Sequence, residues 1–259
     1  MSLPTPNPVA FTLLGIDIRW YGVLITLGML LGIILAFKRA PLHKIEPERV
    51  IDVLLVCIPL GIIGARLYYV AFHWEDYGQD LMRILNFRSG GLAIHGALIL
   101  GIIGALICCY IWNIKPLNLF DLLAPSIVLA QAIGRWGNFF NQEAHGGPTD
   151  LPWAIEVNGE MVHPTFLYES LWCFLVFFVL LLIARHRKFQ GQIFLLYGIL
   201  YSLERFFVEG LRTDSLMIGD TLKAAQVVSA SIFVIFIILY IIFWYRDKQY
   251  RRTHIFYEP

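Results

Sequence analysis

Seven largely apolar stretches, each about 20 residues long, divide the 259-residue chain: residues 20–37, 50–72, 91–112, 119–140, 165–184, 192–209 and 224–244. A helix needs roughly 20 apolar residues to cross a hydrocarbon core about 30 Å thick. The first, third, fifth and seventh stretches are clear, while the second, fourth and sixth carry charges near one end. Together they leave no room for a separate soluble domain. The 58% hydrophobic and 15% charged content agrees, since soluble domains average about 45–50% and about 25%. A soluble globular enzyme, a disordered chain and a collagen are excluded. With 20 Lys and Arg against 19 Asp and Glu, there is no broad basic surface for nucleic acid. The expected fold is an all-α integral membrane protein: a single transmembrane domain over residues 1–259, a bundle of about seven helices with a small external cap from outer loops 73–88 and 141–163. Residues 153–157 within the second loop read as a short strand.

Lysine and arginine set the orientation. The loops after the first, third and fifth stretches and the C-terminal tail hold twelve of them, including Lys38, Arg39, Arg187, Arg251 and Arg252. The other side holds five: Arg19, Arg83, Arg88, Arg212 and Lys223. The bias predicts the N-terminus outside and the C-terminus in the cytoplasm. The N-terminus lacks a basic region, and Pro4, Pro6 and Pro8 oppose an early helix, so a cleaved signal peptide is not expected. The four cysteines, Cys57, Cys108, Cys109 and Cys173, fall inside apolar stretches without metal spacing and read as small buried hydrophobes.

An ionisable residue inside a span is costly and marks a candidate site. Here such residues share one depth. Tyr21, Arg66, His95, Arg135, Asn138, Asn141, Glu143, His163, Glu169, Arg205, Glu209 and Arg212 all fall towards the outer ends of their spans. Asp121, at the inner start of the fourth, is the exception and reads as a helix N-terminal acid.

Three segments carry the chemistry. In Gly134-Arg135-Trp136-Gly137-Asn138-Phe139-Phe140-Asn141-Gln142-Glu143, Arg135, Asn138 and Asn141 or Gln142 recur on one helical face. Arginine offers a permanent charge and a planar donor fork for phosphate or carboxylate; the competing account is a snorkelling anchor. In Glu204-Arg205-Phe206-Phe207-Val208-Glu209-Gly210-Leu211-Arg212, Arg205, Glu209 and Arg212 form a predicted stripe along one face, either a self-neutralising pair or a cationic pocket. In Ser89-Gly90-Gly91-Leu92-Ala93-Ile94-His95-Gly96, the paired glycines permit an unusual backbone, and His95 is either a core histidine or a base near neutral pH. His163 and Glu169 either anchor the fifth span or join the site, and Tyr21 is either an interfacial aromatic or a site residue. A membrane-embedded anion such as a phospholipid suits this set. No GxSxG, HExxH or clustered metal ligands appear, so the chemistry expected is direct transfer between two bound substrates.

The run Gly134-Arg135-x-Gly137-Asn138-Phe139-x-Asn141-x-Glu143-x-x-Gly146 resembles the signature of the bacterial phosphatidylglycerol–prolipoprotein diacylglyceryl transferases. The resemblance covers most of the chain, through Arg19-Trp20-Tyr21-Gly22, Gly90-Gly91-Leu92-x-x-His95-Gly96, His163-Pro164-x-x-Leu167-Tyr168-Glu169 and Arg205-Phe206-x-x-Glu209-x-x-Arg212. The family often continues with Glu-Pro-Asp where this chain has Thr213-Asp214. The resemblance implies transfer of a diacylglyceryl group from phosphatidylglycerol to the lipobox cysteine thiol of a prolipoprotein. The products are a thioether and glycerol 1-phosphate, in the first step of lipoprotein maturation at the outer leaflet of the bacterial cytoplasmic membrane. It implies no metal or organic cofactor. By motif match Arg135 and Arg205 polarise the phosphate, and His95 is the base towards the thiol. Asn138, Asn141, Glu143, Gly146 and Tyr21 form the phosphatidylglycerol site, with Glu209, Arg212, His163 and Glu169 in support. The rival reading is a transporter or channel for an anionic solute, for which no internal repeat is visible.

Overall fold

A computed structural model describes residues 6–78, 80–86, 90–213, 215–219 and 221–255, without the side chains of the last five. Arg88, Ser89 and Asp214, named above, lie outside the described residues, as do the side chains of Arg251 and Arg252. The chain forms two compact units, one of residues 1–35 and 120–259, the other of residues 36–119.

The larger unit opens with an antiparallel hairpin, β1 (Val9–Leu13) and β2 (Ile16–Arg19), with Leu14 and Gly15 at positive φ in its turn. Sequence reading assigns no strand here. Proline excludes helix but not a strand, and Val9, Phe11 and Ile16 are good strand formers. Helix α1 (Trp20–Arg39) follows. Its Gly28 and Gly32 lie against the backbone of Ala130 and Ser126 in α5 (Pro116–Asn141), where a Cβ would come within 3.0 Å of a carbonyl oxygen. Two small residues one turn apart thus bring α1 and α5 into backbone contact.

Helices α6 (Thr165–Ala184) and α7 (Gln192–Leu211) pack beside α5. Ala124, Val128 and Ala132 of α5, spaced four apart, meet Cys173, Val176 and Leu180 of α6 and Ile193 of α7 in a fully buried core. Asp121 caps a helix, but not its own. Its carboxylate accepts from Gly191 N (2.8 Å) and Phe194 N (2.9 Å) at the start of α7 and from Arg187 (2.9 Å). The residue sits in the second turn of α5, whose own amides are already paired. Helix α8 (Ala224–Ile255) lies along α7, where the Phe236 ring fills the space that a side chain at Gly198 would need.

In the smaller unit, α2 (Pro47–Phe72) and α4 (Ile94–Ile111) cross at Gly64 and Gly96, so closely that a Cβ on either would overlap the other's carbonyl oxygen. Between them lie the short helix α3 (Trp74–Tyr77) and a 3-10 turn, Leu81–Leu85.

Among the described residues, six helices are long and apolar enough to cross a membrane. The exception among the long helices, α7, carries Glu204, Arg205 and Glu209, and its 20 residues match the others in length. Exposed apolar side chains cover α4 and α8, among them Leu98, Ile99, Ile102, Val234, Ile235 and Ile238. This is the reverse of a water-facing surface, and the protein is an all-α integral membrane protein.

Removing the Asp121 carboxylate leaves two amides and a guanidinium at the α7 start without their acceptor. Asp121→Ala is expected to lower stability by on the order of 3 kcal/mol, read as the midpoint of unfolding by detergent titration in micelles. A change below about 0.5 kcal/mol would show the cap to be dispensable.

Candidate functional site

The polar end of the larger unit is organised by Glu169, which lies in the second turn of α6 and is only 1% exposed. One carboxylate oxygen meets Arg135 of α5 at 3.0 Å and the other meets Arg205 of α7 at 2.8 Å. The second arm of each guanidinium is also held. Arg205 reaches Glu209 Oε2 at 2.5 Å, one turn on, and Arg135 donates to the Tyr201 hydroxyl at 3.2 Å. Two arginines and two glutamates thus form one network whose formal charges cancel. The sequence left Glu169 between anchoring the fifth span and joining the site; it lies at the centre. Tyr201 is absent from the sequence reading, although its place four residues before Arg205 puts it on the same helical face. A second link ties α5 to α6: Trp136 Nε1 donates to Ser170 Oγ, which donates to Ala132 O.

Beyond Arg135, the amides of Asn138 and Asn141 both donate to Glu143 Oε1 at 3.1 Å. The three residues expected to act together are together, with Glu143 exposed at the end of the helix. Gln142 and Ala144 take positive φ values of 54° and 57°, a costly conformation for residues with a side chain. The turn is pinned from outside: Thr165 Oγ1 donates to Ala144 O, and Gly146 N donates to His163 O at 2.9 Å. A Cβ on Gly146 would stand 2.6 Å from His163 Cβ, so this glycine provides a close backbone approach. Tyr21 is positioned by another glycine, its ring lying over Gly137, while Trp20 stacks on Phe140.

The predicted Arg205–Glu209–Arg212 stripe is corrected in part. Arg205 and Glu209 pair, but α7 ends at Leu211, and Arg212 is extended, with φ −73° and ψ 145°. Its backbone bridges to Gly146 in β-fashion, and Gly147 N donates to Leu211 O. Lys223 Nζ donates to the carbonyls of Glu209, Gly210 and Arg212, capping the exposed end of α7. Pairing with the loop 146–147 competes with a further turn of helix and wins. The loop also contains the expected strand, here β3 (Ile155–Val157), paired with β4 (Glu160–Val162). His163 Nδ1 lies 3.3 Å from the Tyr168 hydroxyl, which accepts from Trp153.

In the smaller unit, Gly90 and Gly91 take φ of 82° and 73°, as their pairing predicted, and lead into α4. His95 is exposed in the first turn of α4, its ring centroid 5.8 Å from that of Tyr68. Arg66, 1% exposed, gives one hydrogen bond from each of its five N–H groups to the carbonyls of Arg83, Ile84, Asn86, Gly90 and Gly91. A guanidinium in this setting solvates backbone. Among the described residues, no three His, Cys, Asp or Glu side chains converge as metal ligands do.

Apolar spans enclosing a buried, charge-balanced Arg–Glu network define a polytopic membrane protein with a fixed polar centre at one end of its helices. The family model described as prolipoprotein diacylglyceryl transferase matches residues 8–242. The chain is 55% identical to the phosphatidylglycerol–prolipoprotein diacylglyceryl transferase of Clostridioides difficile strain 630, over 85% of this chain and 89% of that one. It is 52% identical to the protein of the same name from Finegoldia magna, over 90% and 94%. For the protein of that name from Clostridium botulinum strain Langeland the figures are 45%, 94% and 100%. The chain belongs to the prolipoprotein diacylglyceryl transferase family.

Arg135→Lys retains a charge but not the fork that holds Glu169 and Tyr201 at once. It is expected to cut turnover by about 10²-fold while the protein still elutes as a folded species. Near wild-type turnover in Arg135→Lys would show that charge alone matters there.

Proposed function

We propose that the chain transfers the diacylglyceryl group of phosphatidylglycerol to the lipobox cysteine thiol of prolipoproteins, forming a thioether and releasing glycerol 1-phosphate. The observation that carries this reading is the Arg135–Glu169–Arg205 bridge, which fixes two guanidiniums side by side in an apolar frame. The names of the relatives supply the donor lipid and the acceptor protein class. In the reaction, sulfur attacks the glyceryl carbon that bears the phosphate. The carbon–oxygen bond breaks, and its electron pair stays on the phosphate oxygen. Fixed guanidiniums favour that developing charge without reorganising. Asn138, Asn141 and Glu143, with Tyr21, shape the headgroup site. Gly146, His163, Glu209 and Arg212 hold its backbone in place.

The orientation belongs to the same proposal. The Lys and Arg bias places the N-terminus outside and the C-terminus in the cytoplasm. That puts the network at the outer leaflet of the bacterial cytoplasmic membrane, where a secreted prolipoprotein arrives. Purified protein incubated with phosphatidylglycerol and a lipobox peptide is expected to add the mass of one diacylglyceryl group to the peptide. Solute flux through liposomes without consumption of lipid would favour a transporter and overturn the reading.

His95 takes the thiol proton in this scheme, a part that rests on the motif resemblance. A cysteine thiol, with an ordinary pKa of about 8.5, is mostly protonated at neutral pH, and the thiolate is the nucleophile. His95→Gln is expected to lower kcat by about 10²–10⁴-fold, to leave phosphatidylglycerol binding nearly intact, and to recover partly as rising pH supplies thiolate. Normal turnover in the variant would move the base elsewhere, with Glu143 the first candidate.

A further inference from the structure

Beside the network lies a carboxyl that no part of it uses. Glu204 immediately precedes Arg205 in α7 and is 6% exposed. Neither of its carboxyl oxygens has solvent access or a hydrogen-bond partner among the described residues. It adjoins Arg205, which Glu169 ties to Arg135. Both arginines are nonetheless paired elsewhere, with Glu169, Glu209 and Tyr201. An ionised carboxylate buried without a donor is strongly disfavoured, and one beside Arg205 in the helix would compete with Glu169 for its guanidinium. A protonated carboxylic acid would not.

The charge count leads the same way. Arg135 and Arg205 balance Glu169 and Glu209. An ionised Glu204 would make the cluster net negative and repel a phosphate. With a proton on Glu204, the cluster stays neutral and its spare N–H groups can meet an anion. We propose that Glu204 is a proton-dependent switch beside the site: as the neutral acid it leaves the Arg135–Arg205 pair open to the anionic phosphodiester, and losing its proton closes the site to the lipid. This rests on the substrate reading given above.

The groups around Glu204 can be named. Helix α7 contributes Arg205, Glu209 and Tyr201, α6 contributes Glu169 and Cys173, and α5 contributes Arg135. Helix α8 meets α7 through Gln226, Phe236 and Tyr240. Of these only Tyr240 titrates, and it bonds Gln192 at the opposite end of α7. Lys223 is spent on the carbonyls that end α7.

Two measurements on the purified full chain test the proposal. The infrared spectrum of wild type minus Glu204→Gln at about pH 7 is expected to hold a carbonyl-stretch band of a protonated carboxylic acid; its absence overturns the proposal. In the transfer assay, Glu204→Gln is expected to keep kcat/KM for phosphatidylglycerol within about threefold of wild type at neutral pH. The ratio of variant to wild type should then rise towards about tenfold per pH unit once the wild-type carboxyl loses its proton. A ratio that stays constant to about pH 10, or a variant more than about tenfold down at neutral pH, overturns it, the latter because the carboxyl itself would then be needed. Glu204→Met, apolar and of similar length, replaces the glutamine variant if that one fails to fold. If neither protein lipidates the peptide, the substrate reading falls, and the infrared band alone decides the proton on Glu204.

Discussion

Placing charge in an apolar frame costs more than any single ion pair returns unless every charged group is matched. In this protein the matching rests on Glu169. Each of its oxygens holds one arginine, and each arginine turns its other arm to a further partner on α7. Three helices therefore meet at one carboxylate, which sets the register of their polar ends. Without it, two guanidiniums would face each other in a site with little water to separate them. The apolar core of Val128, Cys173, Val176 and Ile193 packs the same three helices without specifying which turn lies beside which. The network supplies that specification.

A second layer of order is made from backbone. The chain leaving α5 turns through two left-handed residues, Gln142 and Ala144, and then runs beside His163 and the end of α7. Gly146 allows that approach, and Lys223 satisfies the carbonyls left open where α7 stops. Conformations this costly persist where the surroundings over-determine them. Here the surroundings are named: Thr165, His163 and Leu211.

Helix existence was legible in the sequence because hydropathy is a sum over 20 residues and tolerates local exceptions; limits were less so, since α8 continues to Ile255, past the expected end at residue 244. The meeting of Asn138 and Asn141 at Glu143 was legible because helical spacing fixes a face. The role of Glu169 was less so, since its partners lie 34 and 36 residues away and depend on how α5, α6 and α7 pack. Arg212 was misplaced for a related reason: spacing extends a helix indefinitely, and only the competing loop at Gly146 ends it. The N-terminal hairpin went unseen because proline reports what a segment avoids and not what it forms.

Arg66 has a consequence for biosynthesis. It precedes the five carbonyls that solvate it by 17 to 25 residues. During synthesis, the guanidinium therefore leaves the ribosome before its solvation shell exists. Helix α2 is apolar enough to be recognised as a span, yet the five carbonyls that accept from its guanidinium lie in a segment that leaves the ribosome after it. The unit that completes itself in the membrane is therefore not the single helix but α2 with the chain up to Gly91.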